Sequence, residues 1–411
     1  MTPVQPVRGT QSLLGEDADR LAAVVAAFDR VRRLFGFKRV EVPTIEPTQV
    51  FARTIGETTD VVSKEMYSFD DRGGESITLR PEFTAGICRA YLSEGWQQHA
   101  PLKVAAHGSA FRYERPQKGR FREFHQLDAE IIGAAEPQAD VEILSLGYQL
   151  LQELGIAGGV TLELNTLGDP ETREAWRSAL VDYFQVHRAD LSEDSQARLE
   201  RNPLRILDSK DERDRRICAD APNVDQYLTS EASDFFAAVT AGIDAAGVPW
   251  KRNARLVRGL DYYRHTAFEF VTDRLGAQGT VIAGGRYDGL VEALGGPHTP
   301  AVGWAAGIER LAMMIEAPVT EPLDVIIAVE DDAAMTHATT VLAGLRRAGL
   351  SVDMIATGSP RKRFDKATKV NARSILSLVV REGRIHCGQR GDKEMVGRVS
   401  ELLPFTAPEA K

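Results

Sequence analysis

Apolar residues recur at steps of three and four between residues 17 and 35, which is the spacing of one face of an α-helix. They are Leu21, Val24, Val25, Phe28, Val31 and Leu34. Gly36 follows, and glycine commonly ends a helix because it adopts left-handed conformations without steric cost. Val40 and Val42 then alternate with charged residues, which predicts a strand that stops at Pro43.

Further apolar runs predict a mixture of strands and helices up to Pro318. We expect strands at 77–80, 102–106, 121–132, 160–164, 256–272 and 279–283, and helices at about 140–153, 287–294 and 307–316. From about 167 to 250 the chain is rich in charged residues and helix formers, which indicates a helical insertion. Pro318 and Pro322 indicate a linker, so we place a first domain at 1–320.

After the linker, strand and helix patterns alternate. DVIIAV at 324–329 precedes a helix at 333–347, and the strand LSVDMI precedes a basic helix from residue 360 and the strand ILSLVV. Strands that alternate with helices are typical of a parallel α/β domain. We place this second domain at 321–411.

The composition is that of a globular protein and changes this picture little. Of 411 residues, 43% are hydrophobic and 27% charged. The net charge of -9 argues against a protein that coats nucleic acid through bulk charge, although not against a local basic patch. The three cysteines, Cys88, Cys218 and Cys387, form no CxxC pair, and such an odd, sparse count is typical of a reduced compartment. The longest apolar runs are too short to span a bilayer. We expect a cytoplasmic protein without a membrane segment.

The segment FRYERPQKGRFREFHQ at 111–126 carries the first chemical signal. A polar turn with Pro116 and Gly119 lies between two strand patterns. The second pattern places a set of mostly polar residues on one face, namely Arg122, Phe124, Gln126, Asp128 and Glu130. This face is either the polar floor of a pocket or the solvated side of an antiparallel sheet, and the alternation permits both.

Three other stretches add weight to the pocket. TLRPEFTAG at 78–86 places Glu82 and Thr84 two apart, and LVRGLDYY at 256–263 contains Arg258. AVGWAAGIERL at 301–311 leads from an apolar strand into a helix that has Arg310 in its first turns. Arginines in separate stretches, without a GxxxxGK[ST] loop, suggest a polyphosphate held by bidentate guanidinium groups.

Together these stretches resemble the histidyl-tRNA synthetases over nearly the whole chain. GFKRVEVP at 36–43, FRYERPQKGRFREFHQLDAE at 111–130 and AVGWAAGIERL resemble motifs 1, 2 and 3 of class II aminoacyl-tRNA synthetases. TLRPEFTAG, LVRGLDYY and GGRYDGLVEALGG at 284–296 indicate the histidine enzyme. The resemblance implies an α+β catalytic domain with an antiparallel sheet, interrupted by a helical insertion, and a C-terminal α/β anticodon-binding-like domain.

The resemblance also implies how ATP is bound. Arg112 is expected to hold the α-phosphate and Arg310 the γ-phosphate, while Phe124 stacks on the adenine. Arg258 is expected to reach the α-phosphate as a fixed positive charge and, with Arg112, to act in catalysis. Mg²⁺ is expected to enter with ATP, held largely by phosphate and water oxygens rather than by a dedicated protein site.

For L-histidine, the resemblance implies a second set of contacts. Glu82, with Thr84 and Gln126, is expected to bind the α-ammonium group. Glu130 and Tyr263 are expected to hydrogen-bond the two imidazole nitrogens, because a carboxylate and a phenol supply matching donors and acceptors. Tyr262 is expected to line the same pocket.

The implied reaction has two steps. Histidine and ATP form histidyl-adenylate and pyrophosphate, and the 3′ end of tRNA(His) then accepts the histidyl group. Motif 1 implies a homodimer. The tRNA contacts that the resemblance implies are Gln117, Lys118 and Arg120 at the acceptor end and Arg361, Lys362, Arg363 and Lys366 on the anticodon side. The alternative for both sets is ordinary surface charge. The segment 381–394 departs from the family pattern, so no residue is assigned to reading the anticodon.

Two other functions compete with this interpretation. A regulatory paralogue serves as a subunit of ATP phosphoribosyltransferase, but such proteins usually lack the C-terminal domain and parts of motif 2 and RGLDYY. A non-catalytic tRNA-binding module with a degenerate synthetase fold predicts loss of the phosphate-binding arginines. Here Arg112, Arg258 and Arg310 are all present.

Overall fold

The chain folds into two compact units, Met1–Pro318 and Val319–Lys411. The computed structural model describes residues 3–56, 59, 61–257, 263–319 and 321–406. In these residues no helix is both long and apolar enough to cross a membrane.

The first unit combines two sheets with helices. Its strands are β1 (Lys38–Arg39), β2 (Ile45–Pro47), β3 (Tyr67–Asp70), β4 (Ser76–Leu79), β5 (Leu102–Phe111), β6 (Glu123–Ile132), β7 (Thr161–Thr166), β8 (Trp250–Arg252), β9 (Arg264–Val271), β10 (Thr280–Arg286) and β11 (Ala301–Gly307). Its helices are α1 (Glu16–Leu34), α2 (Thr48–Ile55), α3 (Thr84–Ser93), α4 (Pro137–Glu153), α5 (Pro170–Val186), α6 (Glu193–Arg201), α7 (Glu212–Cys218), α8 (Ser230–Ala245), α9 (Leu290–Ala293) and α10 (Ile308–Ala312).

The larger sheet is the frame of this unit. Its strand order is β1-β5-β6-β11-β10-β9-β7-β8. Every pair from β5 to β7 is antiparallel, and only the edge strands β1 and β8 run parallel to their neighbours. The antiparallel sheet expected of the class II fold is therefore confirmed. A smaller antiparallel sheet has the order β2-β4-β3.

Helix α1 follows the apolar spacing seen in the sequence. Val24, Phe28 and Val31 are fully buried in a core that also contains Trp304 of β11. Acidic residues in the first turn and basic residues in the last turn complement the helix dipole. The strand expected to run to Pro43 is shorter than predicted, since β1 ends at Arg39. One further contact with β5 follows, in which the Val40 N–H donates to the Ala105 carbonyl oxygen.

The segment between β7 and β8 consists of helices α5 to α8 with short 3₁₀ turns, and it forms no strand. Trp176, Leu180 and Phe184 of α5 bury their side chains in a core shared with the sheet. Asp214 of α7 ties the segment together because its carboxylate accepts hydrogen bonds from the hydroxyls of Ser192, Ser195 and Ser209.

The second unit has strands β12 (Leu323–Val329), β13 (Val352–Ile355), β14 (Ala372–Arg381) and β15 (Arg384–Gly391) with helices α11 (Met335–Arg347), α12 (Pro360–Ala367) and α13 (Lys393–Thr406). The sheet order is β13-β12-β14-β15. The first three strands are parallel, as expected, but β15 is antiparallel to β14. The expectation of a wholly parallel sheet is therefore wrong at its last strand.

Candidate active site

A cavity of about 230 Å³ lies on the face of the larger sheet where β6 and β11 meet. Phe124, Gln126 and Glu130 of β6 line it, so the alternating face of this strand is the floor of a pocket and not a solvated surface. The cavity also brings together other residues singled out from the sequence, namely Glu82, Thr84, Arg112, Arg120, Tyr263 and Arg310.

One end of the cavity is acidic. The Thr84 hydroxyl at the start of α3 donates to Glu130 Oε1 at 2.7 Å, and the Tyr287 hydroxyl donates to Glu130 Oε2. Burial raises the pKa of Glu130 to about 7, although its hydrogen bonds oppose the shift. Burial also raises the pKa of Glu82, whose Oε1 accepts from the Ala85 N–H at 2.9 Å.

Glu130 has room for its carboxylate because its neighbour on β11 is Gly303. A Cβ at Gly303 would overlap the Glu130 carboxylate. Glycine inside a strand commonly marks such a close approach. Gly303 of AVGWAAGIERL therefore provides the space that the Glu130 carboxylate of motif 2 occupies.

The other end of the cavity is basic. Arg310 donates from Nε to the Gly119 carbonyl oxygen at 3.1 Å and from Nη1 to the Thr280 carbonyl oxygen at 2.8 Å. Arg112 donates from Nε to the Pro81 carbonyl oxygen at 3.0 Å, with its guanidinium 5.4 Å from the centre of the Phe124 ring. Burial lowers the pKa of Arg310, and the charges of Arg120 and Arg112 lower it further. Such a cluster of cations favours a polyanionic ligand.

A pair that sequence reasoning missed joins the two motifs. Glu309, at the start of α10, accepts the His125 backbone N–H at 3.0 Å through each carboxylate oxygen. It also pairs with His125 Nδ1 at 2.7 Å, and this hydrogen bond raises the pKa of His125. His125 follows Phe124, and Glu309 precedes Arg310, so the pair fixes the two expected ATP-binding residues relative to each other.

Glu114 and Tyr287 were also missed, and both line the cavity. Glu114 forms an ion pair with Arg120. Tyr287 lies in GGRYDGLVEALGG, a motif that indicates the histidine enzyme without assigning a role to this hydroxyl. The signal in the sequence is a tyrosine that closely follows two glycines, Gly284 and Gly285, at the end of a predicted strand, where glycines allow neighbouring strands to approach closely.

The three expected tRNA contacts of the motif 2 loop lie in two different surroundings. Gln117 and Lys118 are exposed, and they do not line the cavity. Arg120, across a short bridge from Gln117, turns into the cavity toward Glu114. Arg120 is therefore placed differently from its expected position at the exposed tip.

The basic residues expected on the anticodon side lie on α12 in the second unit. Arg361, Lys362 and Lys366 are exposed. Arg363 is buried and cannot belong to an exposed basic face, because it donates to the carbonyl oxygens of Gly358 at 3.0 Å and Val329 at 2.9 Å. It also pairs with Asp332 at 2.6 Å.

Two expected site residues, Arg258 and Tyr262, lie outside the described residues. In the part of the chain that is described, no three or more His, Cys, Asp or Glu side chains come together as a potential metal site. The arginines that line the cavity suit the phosphates of a nucleotide, and its carboxylates suit a small substrate with a positively charged group.

Known proteins resemble this chain in sequence and in structure. The profile of the family described as histidyl-tRNA synthetase matches residues 9–311. A histidine–tRNA ligase of Novosphingobium aromaticivorans is 67% identical over 384 residues, which cover 92% of each chain. One from Gluconobacter oxydans is 50% identical over 409 residues, covering 100% of this chain and 96% of the other. The structure of the apo histidyl-tRNA synthetase of S. aureus matches with a TM-score of 0.78 at 30% identity, covering 98% of this chain and 100% of that one. The chain therefore belongs to the histidyl-tRNA synthetase family.

Proposed function

We propose that the protein is a histidine–tRNA ligase that activates L-histidine with ATP and transfers it to the 3′ end of tRNA(His). The observation that carries this proposal is the charge pattern of the cavity lining, in which the buried carboxylates of Glu82 and Glu130 face a cluster of arginines, Arg112, Arg120 and Arg310, that Glu114 and Glu309 accompany. Histidine brings an ammonium group and an imidazole to the acidic end, and ATP brings phosphates to the basic end.

At the acidic end, Glu82 and Gln126 bind the α-ammonium group. Thr84 already donates its proton to Glu130, so its hydroxyl offers the ammonium group a lone pair. Glu130 and Tyr263 bind the imidazole nitrogens, with Tyr262 beside them. A site built on such hydrogen bonds rejects analogues that lack them by roughly 10⁴-fold.

At the basic end, Phe124 stacks on the adenine, Arg112 and Arg258 hold the α-phosphate and Arg310 holds the γ-phosphate. Mg²⁺ enters as part of the nucleotide substrate. The histidine carboxylate attacks the α-phosphorus and pyrophosphate leaves, so no protein nucleophile is needed. Catalysis consists of holding the two substrates in line and stabilising the charge that develops on the phosphate.

The tRNA is placed by two groups of exposed residues. Gln117 and Lys118, with Arg120 behind them, meet the acceptor end, and Arg361, Lys362 and Lys366 contact the backbone on the anticodon side. We assign residues 1–320 to the catalytic domain and 321–411 to the anticodon-binding domain. The homodimer and the cytoplasmic location stay predictions from the sequence.

The test is ATP–pyrophosphate exchange with each standard amino acid in turn. We expect exchange with histidine, and absence of that exchange would contradict the proposal whatever the tRNA binding. Arg310→Ala should slow exchange roughly 10- to 100-fold, because one charge-assisted contact to phosphate is lost. Arg347→Ala removes an exposed arginine of the second unit and should leave exchange unchanged.

Arg258→Ala tests the residue that lies outside the described part of the chain. Its proposed role is to hold charge on the reacting phosphate, so adenylate formation should slow by orders of magnitude while histidine binding changes little. Single-turnover adenylate formation and equilibrium histidine binding measure the two quantities separately. A rate near that of the wild type would contradict this role.

A further inference from the structure

Asp128 is a buried acid that none of the roles above uses. It lies on β6 between Gln126 and Glu130, on the same face of the strand, and is fully buried. Its neighbours across the adjacent strands are Ala106 on β5 and Ala305 on β11, which offer no side-chain donor. Among the described residues, no N–H or O–H group donates to either oxygen of its carboxyl group.

The two other fully buried aspartates in the described chain have partners for their carboxylates. Asp140 pairs with Arg286, and Asp214 accepts from three serine hydroxyls and a backbone N–H. Burial would raise the pKa of Asp214, but these hydrogen bonds outweigh it and lower the pKa. Asp128 has no such set of donors. An ionised carboxylate in that position would receive no hydrogen bond from the described residues, and Arg80, the cation that faces it, would offset only part of the large cost in free energy.

The charged and titratable groups that face Asp128 do not remove this cost. They are Glu130 on β6, Arg80 and Glu82 before α3, Cys88 on α3, and Tyr287 after β10. Arg80 is the only cation of the set, and it already donates to the carbonyl oxygens of Ser109 and Val42, each at 2.8 Å. Burial raises the pKa of Asp128 well above its ordinary range, and the charge of Glu130 raises it further.

Glu130 lies within hydrogen-bonding reach of Asp128. Two carboxyl groups can hydrogen-bond only when one of them carries a proton. Glu130 already accepts hydrogen bonds from the Thr84 and Tyr287 hydroxyls, and these bonds favour its ionised form. The shared proton therefore belongs on Asp128.

We propose that Asp128 is a positioning residue that is protonated at neutral pH and donates a hydrogen bond to Glu130, holding that carboxylate as the acceptor for the imidazole of histidine. The role rests on the proposed function. The buried pair then carries one negative charge instead of two, and the direction of the Glu130 carboxylate is fixed from behind. Asparagine reproduces the shape and the donor of a neutral aspartic acid, whereas alanine reproduces neither.

The first test compares Asp128→Asn with Asp128→Ala in histidine-dependent pyrophosphate exchange. Asp128→Asn should keep the KM for histidine within about threefold of the wild type, because the donor is retained. Asp128→Ala should raise that KM about tenfold or more while the KM for ATP stays constant, which a general loss of folding would not do. A KM for histidine unchanged in Asp128→Ala, or raised equally in both variants, overturns the proposal.

The second test does not depend on substrate or on the stability of the alanine variant. The infrared difference spectrum between the wild type and Asp128→Asn at neutral pH should contain the carbonyl stretch of a protonated carboxyl group. The matched variant Asp214→Asn removes an ionised buried aspartate and should not remove that band. Absence of the band overturns the proton on Asp128, whereas lack of exchange with histidine in the wild type overturns the proposed function instead.

Discussion

Glu130 is the residue at which the sheet and the substrate chemistry meet. Its carboxylate lies against Gly303 of the next strand and accepts hydrogen bonds from the hydroxyls of Thr84, on α3, and Tyr287, just after β10. Burial is the largest cause of its pKa of about 7. The folded protein therefore holds this carboxyl protonated over a pH range in which the unfolded chain does not.

The first prediction concerns the stability of Glu130→Gln relative to the wild type. Because the folded pKa of about 7 lies above the ordinary value of 4.5, only the folded wild type binds this proton between those values. The free energy of unfolding of the wild type, relative to the variant, should rise by about 3 kcal/mol as the pH falls from about 7 to about 4.5.

Urea denaturation of both proteins at pH 5 and pH 8 measures this difference. Glu163→Gln changes a glutamate on β7, away from the cavity, and serves as the control. An advantage of the wild type over Glu130→Gln that is equal at both pH values would contradict the prediction.

At the same scale, the sequence identified the acids but not their partners. Glu82 and Glu130 followed from alternation and from the family motifs, and both line the cavity. The Tyr287 hydroxyl was missed because it is 157 residues away from Glu130. Its contact depends on the pairing of β6 with β11 and of β11 with β10, which no local pattern specifies. Arg363 was misplaced for a related reason, since a basic helix does not show which of its charges is turned inward.

At the scale of elements, the contact between β6 and α10 decides the geometry of the basic end. The pairing of β11 with β6 ends at Gly307 and Gln126, where the chain turns into α10. The next backbone N–H of β6, that of His125, then donates to the Glu309 carboxylate. A side chain of the helix thus continues the ladder that the strand leaves.

The second prediction follows from the raised pKa of His125. Replacing the carboxylate by Glu309→Gln should lower the pKa of His125 toward its ordinary value of 6.5. The pair stabilises the fold fully below 6.5 and loses this effect as the pH rises through the folded pKa, so the variant should be most destabilised at acidic pH. The KM for ATP should rise, with the KM for histidine unchanged.

NMR titration of histidine-labelled protein measures the pKa, and His125→Asn identifies the resonance among the eight histidines. Glu292→Gln removes an exposed carboxylate elsewhere and should leave His125 unaffected. An identical His125 titration in the wild type and in Glu309→Gln would show that the pair does not form.

The missed strand β15 shows what an element-scale pattern cannot reveal. Its sequence, RIHCGQRG, has no apolar alternation because it is an edge strand that is mostly exposed. It pairs with β14 through a two-residue turn in which Glu382 and Gly383 both have positive φ. Glycine is usual in such a turn and glutamate is not, so the hairpin signal was weak.

At the scale of the whole molecule, the buried cores separate along the chain. The clusters of the first unit run from Val24 to Met314, and those of the second unit from Val325 to Val399. No described cluster contains residues of both units. Each unit thus has its own core, which is the physical requirement for independent folding.

The third prediction is that a chain ending at Pro318 folds and retains histidine-dependent pyrophosphate exchange within about tenfold of the full chain. Every described residue that lines the cavity lies before that point. Charging of tRNA(His) should fall much further, because Arg361, Lys362 and Lys366 are removed with α12 and phosphate contacts supply much of the affinity for nucleic acid. Exchange and charging are measured on the same preparation, with the full-length Arg361→Ala variant as the intermediate case. Equal losses in both reactions would mean that the second unit supports the cavity itself, and the division of labour between the two units would then be wrong.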